Sequence, residues 1–270
     1  MEILQLLYAE FNPLAVVSGS IVGFVLGLIG SGGSVLAVPL LLYVVGMPSP
    51  HMAIGTSAFA VAMNAATGTI NHGFKGNVKW RCALTFTVAG ILGSYIGSSF
   101  GKTINGNLLL IIFSIVMILI AGLMLTDKKD KPNGDLHMTL ENMAVLVPKL
   151  LSFGFVVGLA AGFFGIGGGF LIVPALIYAL QIPIIFAIGS SLVAVTAFGL
   201  TTSINYSFSG FVDWPIATYF IMGGVIGSLF GTRAATKLAN QKALLNKLFA
   251  LVLILMAIYM IYRSYENLDL

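Results

Sequence analysis

The residues best placed for chemistry in this chain are backbone amides in two glycine-rich runs. Residues 30–34 read GSGGS and residues 165–169 read GIGGG. Each run lies between two short apolar segments, and five residues so rich in Gly interrupt a helix. Within lipid, an interrupted backbone must be buried in protein or line a wet cavity. This predicts a hairpin whose half-helix ends meet near the midplane. The N-terminus of the second half-helix, near Ser34 in one run and Phe170 in the other, then carries partial positive charge that suits an anion. Oriented amides can cradle a small oxyanion without a fixed cation. The candidate contacts are Gly30, Ser31, Gly32, Gly33 and Ser34, with Gly165, Gly167, Gly168 and Gly169. A tight turn at the membrane surface is the other reading. The short flanking segments and the occurrence of two copies favour the hairpin. Neither run fits the dinucleotide pattern G-x-G-x-x-G, and no strand context surrounds it.

A second polar set lies on the third apolar segment. Ser57, Asn64 and Asn71 are seven residues apart, so they share one helix face to within about 20°. Thr67 lies near that stripe. A later segment carries Ser191, Thr201 and Asn205, with Phe198 where Asn64 would fall. Uncharged polar groups in a membrane face the bundle interior. The amides of Asn71 and Asn205 can donate to an oxyanion or join helices, and Ser57 and Ser191 stand with them as candidate substrate contacts. His72, replaced by Tyr206 in the later segment, is a candidate proton or substrate contact; a boundary histidine wetted by the next loop is the preferred reading. His51 and His137 read as loop residues. No Asp, Glu, Lys or Arg falls mid-span, so the sequence offers no carboxylate for proton or sodium coupling.

Other glycines read as packing. Gly19, Gly23 and Gly27, and later Gly154, Gly158 and Gly162, repeat every four residues and line one helix face. Pro39 and Pro174 each remove a helix donor; a kink and a first-turn proline are both open readings.

The elements that must hold these groups follow from composition. Of 270 residues, 58% are hydrophobic and 8% charged, and mean hydropathy is +1.02. A soluble domain carries about 25% charged residues. The balance excludes a soluble enzyme, a disordered chain and a disulfide scaffold. The +4 net charge comes without a basic stripe, so no nucleic-acid partner is expected. Cys82 is the single cysteine and permits no intrachain disulfide. The chain has no catalytic motif of the HExxH or G-x-S-x-G kind and no cofactor motif, so it reads as a non-enzyme without cofactor. A charged N-terminus lacking basic residues does not resemble a signal peptide. The partner surface is the lipid bilayer.

Apolar stretches run over 13–30, 34–47, 52–71, 83–101 and 107–126, then 150–165, 170–182, 186–206, 216–232 and 246–262. The expected fold is an all-α polytopic membrane protein of two five-segment repeats, 1–126 and 150–270, joined by a charged linker, 127–149. The repeat is visible residue by residue. Six glycines from Gly19 to Gly33 recur 135 positions later, as does Pro39 in Pro174. The offset then becomes 134 and pairs Ser57 with Ser191, Asn71 with Asn205, Trp80 with Trp214 and Gly97 with Gly231. Chance does not place both tryptophans, a proline and an asparagine in register.

Basic residues give the orientation. Eleven of the thirteen Lys and Arg fall on odd-numbered loops, within 72–82, 127–149 and 233–247. The positive-inside rule makes those loops cytoplasmic and puts both termini outside. The two repeats are then inverted: basic loop 72–82 is cytoplasmic, while its copy, bearing Asp213 and no Lys or Arg, is external. Inverted repeats are a common construction of secondary transporters, with the site near the midplane.

The stretches GLIGSGGSVLAVPLLL (27–42) and GFFGIGGGFLIVPALI (162–177) resemble the twin signature of the TauE/SafE family of sulfite exporters. IGTS (54–57), IGSS (188–191), TGTINHGFKGNVKW (67–80) and TTSINYSFSGFVDW (201–214) extend the resemblance across nearly the whole chain, outside the linker and termini. It implies an inner-membrane permease, an exporter of small sulfur-containing anions such as sulfite, sulfoacetate, other organosulfonates or thiosulfate. Alternating access around a central anion site is the expected mechanism. A channel-like anion facilitator and a non-transporting membrane subunit are the alternatives. The particular anion, the coupling and the oligomeric state stay open at this point.

Overall fold

A computed structural model describes residues 12–29, 31–125, 143–237 and 242–266. Among the described residues ten α-helices follow one another: α1 (Pro13–Ile29), α2 (Ala37–Tyr43), α3 (Pro50–Phe74), α4 (Trp80–Thr103), α5 (Gly106–Leu125), α6 (Met143–Phe164), α7 (Gly169–Leu180), α8 (Ile184–Ser207), α9 (Trp214–Lys237) and α10 (Lys242–Glu266). A 3-10 helix, Ser31–Leu36, leads into α2. The described chain is all-helical, as its hydropathy dictates: in lipid each backbone donor must find an acceptor within its own segment. Among the described residues six helices are long and apolar enough to cross a membrane. This is a multi-pass membrane protein.

The helices start where local chemistry places them. Ser49 caps α3 by accepting the Met52 N–H at 3.2 Å, and Pro50 occupies the first turn. Asp213 does the same for α9, accepting from the Ile216 N–H at 2.9 Å. The boundary after the linker differs from expectation. Helix α6 begins at Met143, inside the stretch 127–149 assigned to the linker. Residues 143–147 are apolar enough to wind, and Pro148 lies inside the helix, leaving the Ala144 carbonyl without its usual donor.

The most extensive contacts join α1 to α9 and α4 to α6. Both are parallel pairs along the four-residue glycine stripes. A Cβ on Gly19 or Gly23 would strike the backbone of Phe220 or Gly224, and a Cβ on Gly27 would lie 2.6 Å from the Ser228 carbonyl oxygen. On the other side Gly154, Gly158 and Gly162 meet the backbones of Phe86, Gly90 and Ser94. The packing reading of these stripes is what the backbone shows.

Between these pairs lie α3 and α8, which contact each other and run antiparallel. Gly55 meets Phe211 and Tyr206, Gly199 meets Ala58 and Ala62, and Gly68 meets Leu192. Helix α9 lies along α3, with Phe59 against Trp214 at 5.0 Å between ring centroids. Helix α4 lies along α8, with Phe86 stacked on Phe198 at 6.2 Å. Helices α5 and α10 pair on the outside. Matched loop bonds recur at the repeat offset. The Lys79 N–H donates to Ser190 Oγ and the Asp213 N–H to Thr56 Oγ1, each at 3.0 Å.

Helices α1 and α3 run the same way, as do α6 and α8. The chain must therefore return between them. The returning helical pieces are short: Gly169–Leu180 has 12 residues, about 18 Å of helix at 1.5 Å per residue, against a hydrocarbon core of about 30 Å.

Candidate functional site

The second glycine-rich run is fully buried from Gly165 to Gly169. Gly165, Gly167 and Gly168 have φ of 66°, 64° and 67°, in the left-handed region open chiefly to Gly. This ends α6 and lets Gly168 cap α7, its carbonyl accepting the Leu171 N–H at 2.9 Å and the Ile172 N–H at 3.0 Å. The run wedges between α3 and α8. A Cβ on Gly165 would strike the Ile54 side chain of α3. One on Gly167 would lie 3.1 Å from Val195 Cγ1 and 3.2 Å from Val61 Cγ1. Val61 and Val195 are themselves equivalent at offset 134, so Gly167 sits where the two halves meet. Ser57 donates its hydroxyl to the Ile54 carbonyl at 2.9 Å and lies 3.4 Å from the Gly165 carbonyl. The structure thus brings Ser57 beside Gly165.

The first run is built differently. Gly30 lies outside the described residues. Residues 31–36 wind as a 3-10 helix, and Gly32 and Gly33 have ordinary negative φ. The α-helix starts at Ala37, later than the expected start near Ser34, and is only seven residues long. Gly33 serves packing here: its Cβ would lie 2.5 Å from the Leu26 nitrogen of α1. Gly32 faces the Phe249 ring at 3.5 Å, and Ser34 is buried. The prolines separate in the same way. Pro39 falls in the first turn of α2, whereas Pro174 is interior to α7 and leaves the Phe170 carbonyl without its usual donor.

The two asparagines occupy opposite environments. Asn71 is exposed near the end of α3. Asn205 is 7% exposed, and its amide donates to Ser98 Oγ at 2.7 Å and Ser99 Oγ at 3.0 Å on α4. Its side-chain oxygen and its backbone carbonyl each accept from Lys102 Nζ at 2.9 Å. Asn205 therefore binds helix to helix. Ser191 is buried and donates to the Ile188 carbonyl at 2.8 Å in its own helix. His72 is half-buried near the end of α3, and its Nδ1 has no partner. Mid-stripe Asn64 leaves both amide atoms unpartnered against Gly224 of α9. Its counterpart Phe198 fills the equivalent place against Gly90.

Sequence reading missed Lys102, His51 and Tyr206, which lie together where α4 ends and α3 begins. Lys102 and His51, expected in loops, lie in the last turn of α4 and the first turn of α3. One signal was present: Lys102 and Arg263 are the two basic residues outside the basic loops. A shallow cleft of about 490 Å³ also opens at this end, lined by Asn12, Met52, Val212, Asp213 and Trp214.

The chain is similar to known proteins along its length. The family model described as "Sulfite exporter TauE/SafE" matches residues 15–260. A "probable membrane transporter protein" of Xylella fastidiosa is 51% identical over 251 residues, covering 93% of this chain and 95% of the relative. The probable membrane transporter protein YunE of Bacillus subtilis is 29% identical, covering 93% and 97%. A probable membrane transporter protein of Methanocaldococcus jannaschii is 28% identical, covering 85% and 88%. No solved structure matches.

Proposed function

The chain belongs to the TauE/SafE sulfite exporter family, and from that premise we propose that it exports small sulfur-containing anions by alternating access. One observation carries the mechanism. Helices α3 and α8, equivalent in the two repeats, pack antiparallel with Gly167 between their equivalent valines. An antiparallel pair of equivalent helices supports inverted repeats, and inverted repeats place substrate near the midplane where they meet. The matched bonds from Lys79 to Ser190 and from Asp213 to Thr56 support the same symmetry. The substrate's oxygens would meet the α7 N-terminus and the amides of Gly165, Gly167, Gly168 and Gly169, with Ser57 beside them. On the first run Gly30, Ser31, Gly32, Gly33 and Ser34 would complete the path, joined by Ser191, Asn71, Asn205 and His72 when the repeats rock.

A thermal-shift panel of sulfite, sulfate, thiosulfate, sulfoacetate and taurine on the purified protein tests the substrate class. A ligand that binds only the folded state raises the melting temperature, by about 2.7 kcal/mol of stabilisation at a hundredfold excess over Kd. Sulfur oxyanions should do so and taurine, zwitterionic, should do so less; a flat panel removes this reading. Counterflow in proteoliposomes then separates a carrier from the channel-like facilitator, because preloaded anion stimulates uptake only by a carrier. The missing mid-span carboxylate is what keeps the facilitator in view.

The proposed orientation puts 72–82, 127–149 and 233–247 in the cytoplasm of an inner-membrane protein, with both termini outside. Single cysteines at positions 2 and 269, in a Cys82→Ser background, should react with an impermeant maleimide on intact cells. One at 129 should not. The opposite pattern reverses the orientation.

A further inference from the structure

We propose that Lys102, Tyr206 and His51 form an anion subsite at the Asp213 end of the molecule, where the oxygens of a sulfite or sulfonate group are held on their way past the second glycine-rich run. This rests on the transport reading above and adds a fixed cation to a site the sequence built from neutral groups alone. Lys102 lies near the end of α4, and its Nζ bonds only neutral oxygens: the Asn205 carbonyl and Oδ1, each at 2.9 Å, and Ser209 Oγ at 3.0 Å. No carboxylate among the described residues pairs with it. A partly desolvated ammonium with neutral partners keeps its charge uncompensated, and a lysine in or beside a membrane span is costly unless it serves a partner or a pathway. Ser209 sits exposed on the loop and is the ligand that an anion can replace.

Tyr206 supplies the second observation. The residue is 0% exposed, yet its hydroxyl has no hydrogen-bond partner. A Cβ on Gly101, next in sequence to Lys102, would lie 3.2 Å from that hydroxyl oxygen. Lys102 Nζ stands 6.0 Å from the Tyr206 ring centroid. The His51 ring is 6.3 Å from the same ring, and its Nδ1 is also buried without a partner. Three helices, α3, α4 and α8, thus converge a lysine ammonium held by neutral oxygens alone with a phenol hydroxyl and an imidazole Nδ1 that have no hydrogen-bond partner. A buried unpaired donor costs stability, and an oxyanion, which only accepts, would satisfy it. His51 is one helical turn before Ile54, against which Gly165 packs, so the subsite adjoins the Gly165–Gly169 backbone.

The test compares anion affinity with stability in purified protein, using sulfite, thiosulfate and sulfoacetate as probes. Lys102→Gln keeps hydrogen-bond donors for Asn205 but removes the charge. It should weaken binding at least about tenfold, with the loss partly restored in Lys102→Arg. Tyr206→Phe removes a hydroxyl that makes no hydrogen bond, so its melting temperature should stay level or rise while affinity falls at least about fivefold. A residue that merely clamps α4 to α8 would give the reverse: lower melting temperature and unchanged affinity. If the wild-type chain binds all three probes and both variants bind them equally well, the subsite falls and the transport reading stands. If the wild type binds none, the transport reading falls and the subsite falls with it. Should Lys102→Gln fail to fold, Tyr206→Phe alone decides, and undiminished affinity there overturns the proposal.

Discussion

Leucine at Gly158 should cost the protein its fold. Gly158 lies at the centre of the α4–α6 contact, where its missing side chain lets the Gly90 backbone press directly against it. Between membrane helices the hydrophobic effect contributes little, because lipid is as apolar as leucine; close backbone contact and dispersion hold such a pair together. Four added carbon atoms would force the two backbones apart along the whole stripe, loosening Gly154 from Phe86 and Gly162 from Ser94 as well. Overpacking a close contact typically costs about 1–3 kcal/mol, and here the obstacle is backbone that cannot rotate away, so the upper end or beyond is expected. The measured outcome should be loss of a monodisperse peak in detergent and a collapse of the melting transition. Gly23→Leu, against Gly224 of α9, should behave alike. Gly122→Leu is the control: nothing lies within 4 Å of its added Cβ, on a face of α5 open to lipid. A Gly158→Leu protein as stable as Gly122→Leu would show that the stripes do not hold the helices together.

The second large effect is on transport. Gly167→Ala should lower transport at least about tenfold, by analogy with a barrier change near 1.4 kcal/mol, while leaving a folded protein. Two penalties combine at this position. A non-glycine residue at φ 64° is strained by about 1–2 kcal/mol. The new methyl would also stand 3.1 Å from Val195 and 3.2 Å from Val61, tighter than ordinary van der Waals contact, at the seam between the halves. If the repeats rock about this seam, the methyl obstructs the motion as well as the amide cradle. Gly210→Ala separates the terms, since Gly210 has a φ of 72° but nothing within 4 Å of an added Cβ. It should show the backbone strain in its melting temperature and keep its transport rate. Equal transport by Gly167→Ala and wild type would remove the run from the mechanism.

The pattern of these two predictions reflects what each kind of information carries. The stripes at Gly19, Gly23, Gly27 and at Gly154, Gly158, Gly162 were legible because a four-residue period is a property of one helix, readable without its partner. The partners, α9 and α4, were not, because nothing in the period of one helix names the helix that meets it. The same limit governs the candidate site. Gly165–Gly169 and Ser57 could be chosen from residue type and repetition, but the wedge between Val61 and Val195 could not.

The sequence alone determined that the chain is helical and membrane-embedded, roughly where its apolar segments lie, and which residues recur between its halves. Hydropathy, caps and the obligation to satisfy each backbone donor within lipid are local, and local rules are written in the chain. Tertiary structure alone decided which equivalent residues share a role. Asn71 and Asn205 stand in register, yet one is exposed and the other is bound by Ser98, Ser99 and Lys102. At the repeat offset those three partners become Thr232, Arg233 and Thr236. Each copy takes its surroundings from the other half of the chain, and the other half has a different sequence at those positions. For the same reason the GIGGG run adopts three left-handed glycines between the repeats while GSGGS winds against α1. A repeat fixes what its residues are; the neighbours that packing brings decide what those residues can do.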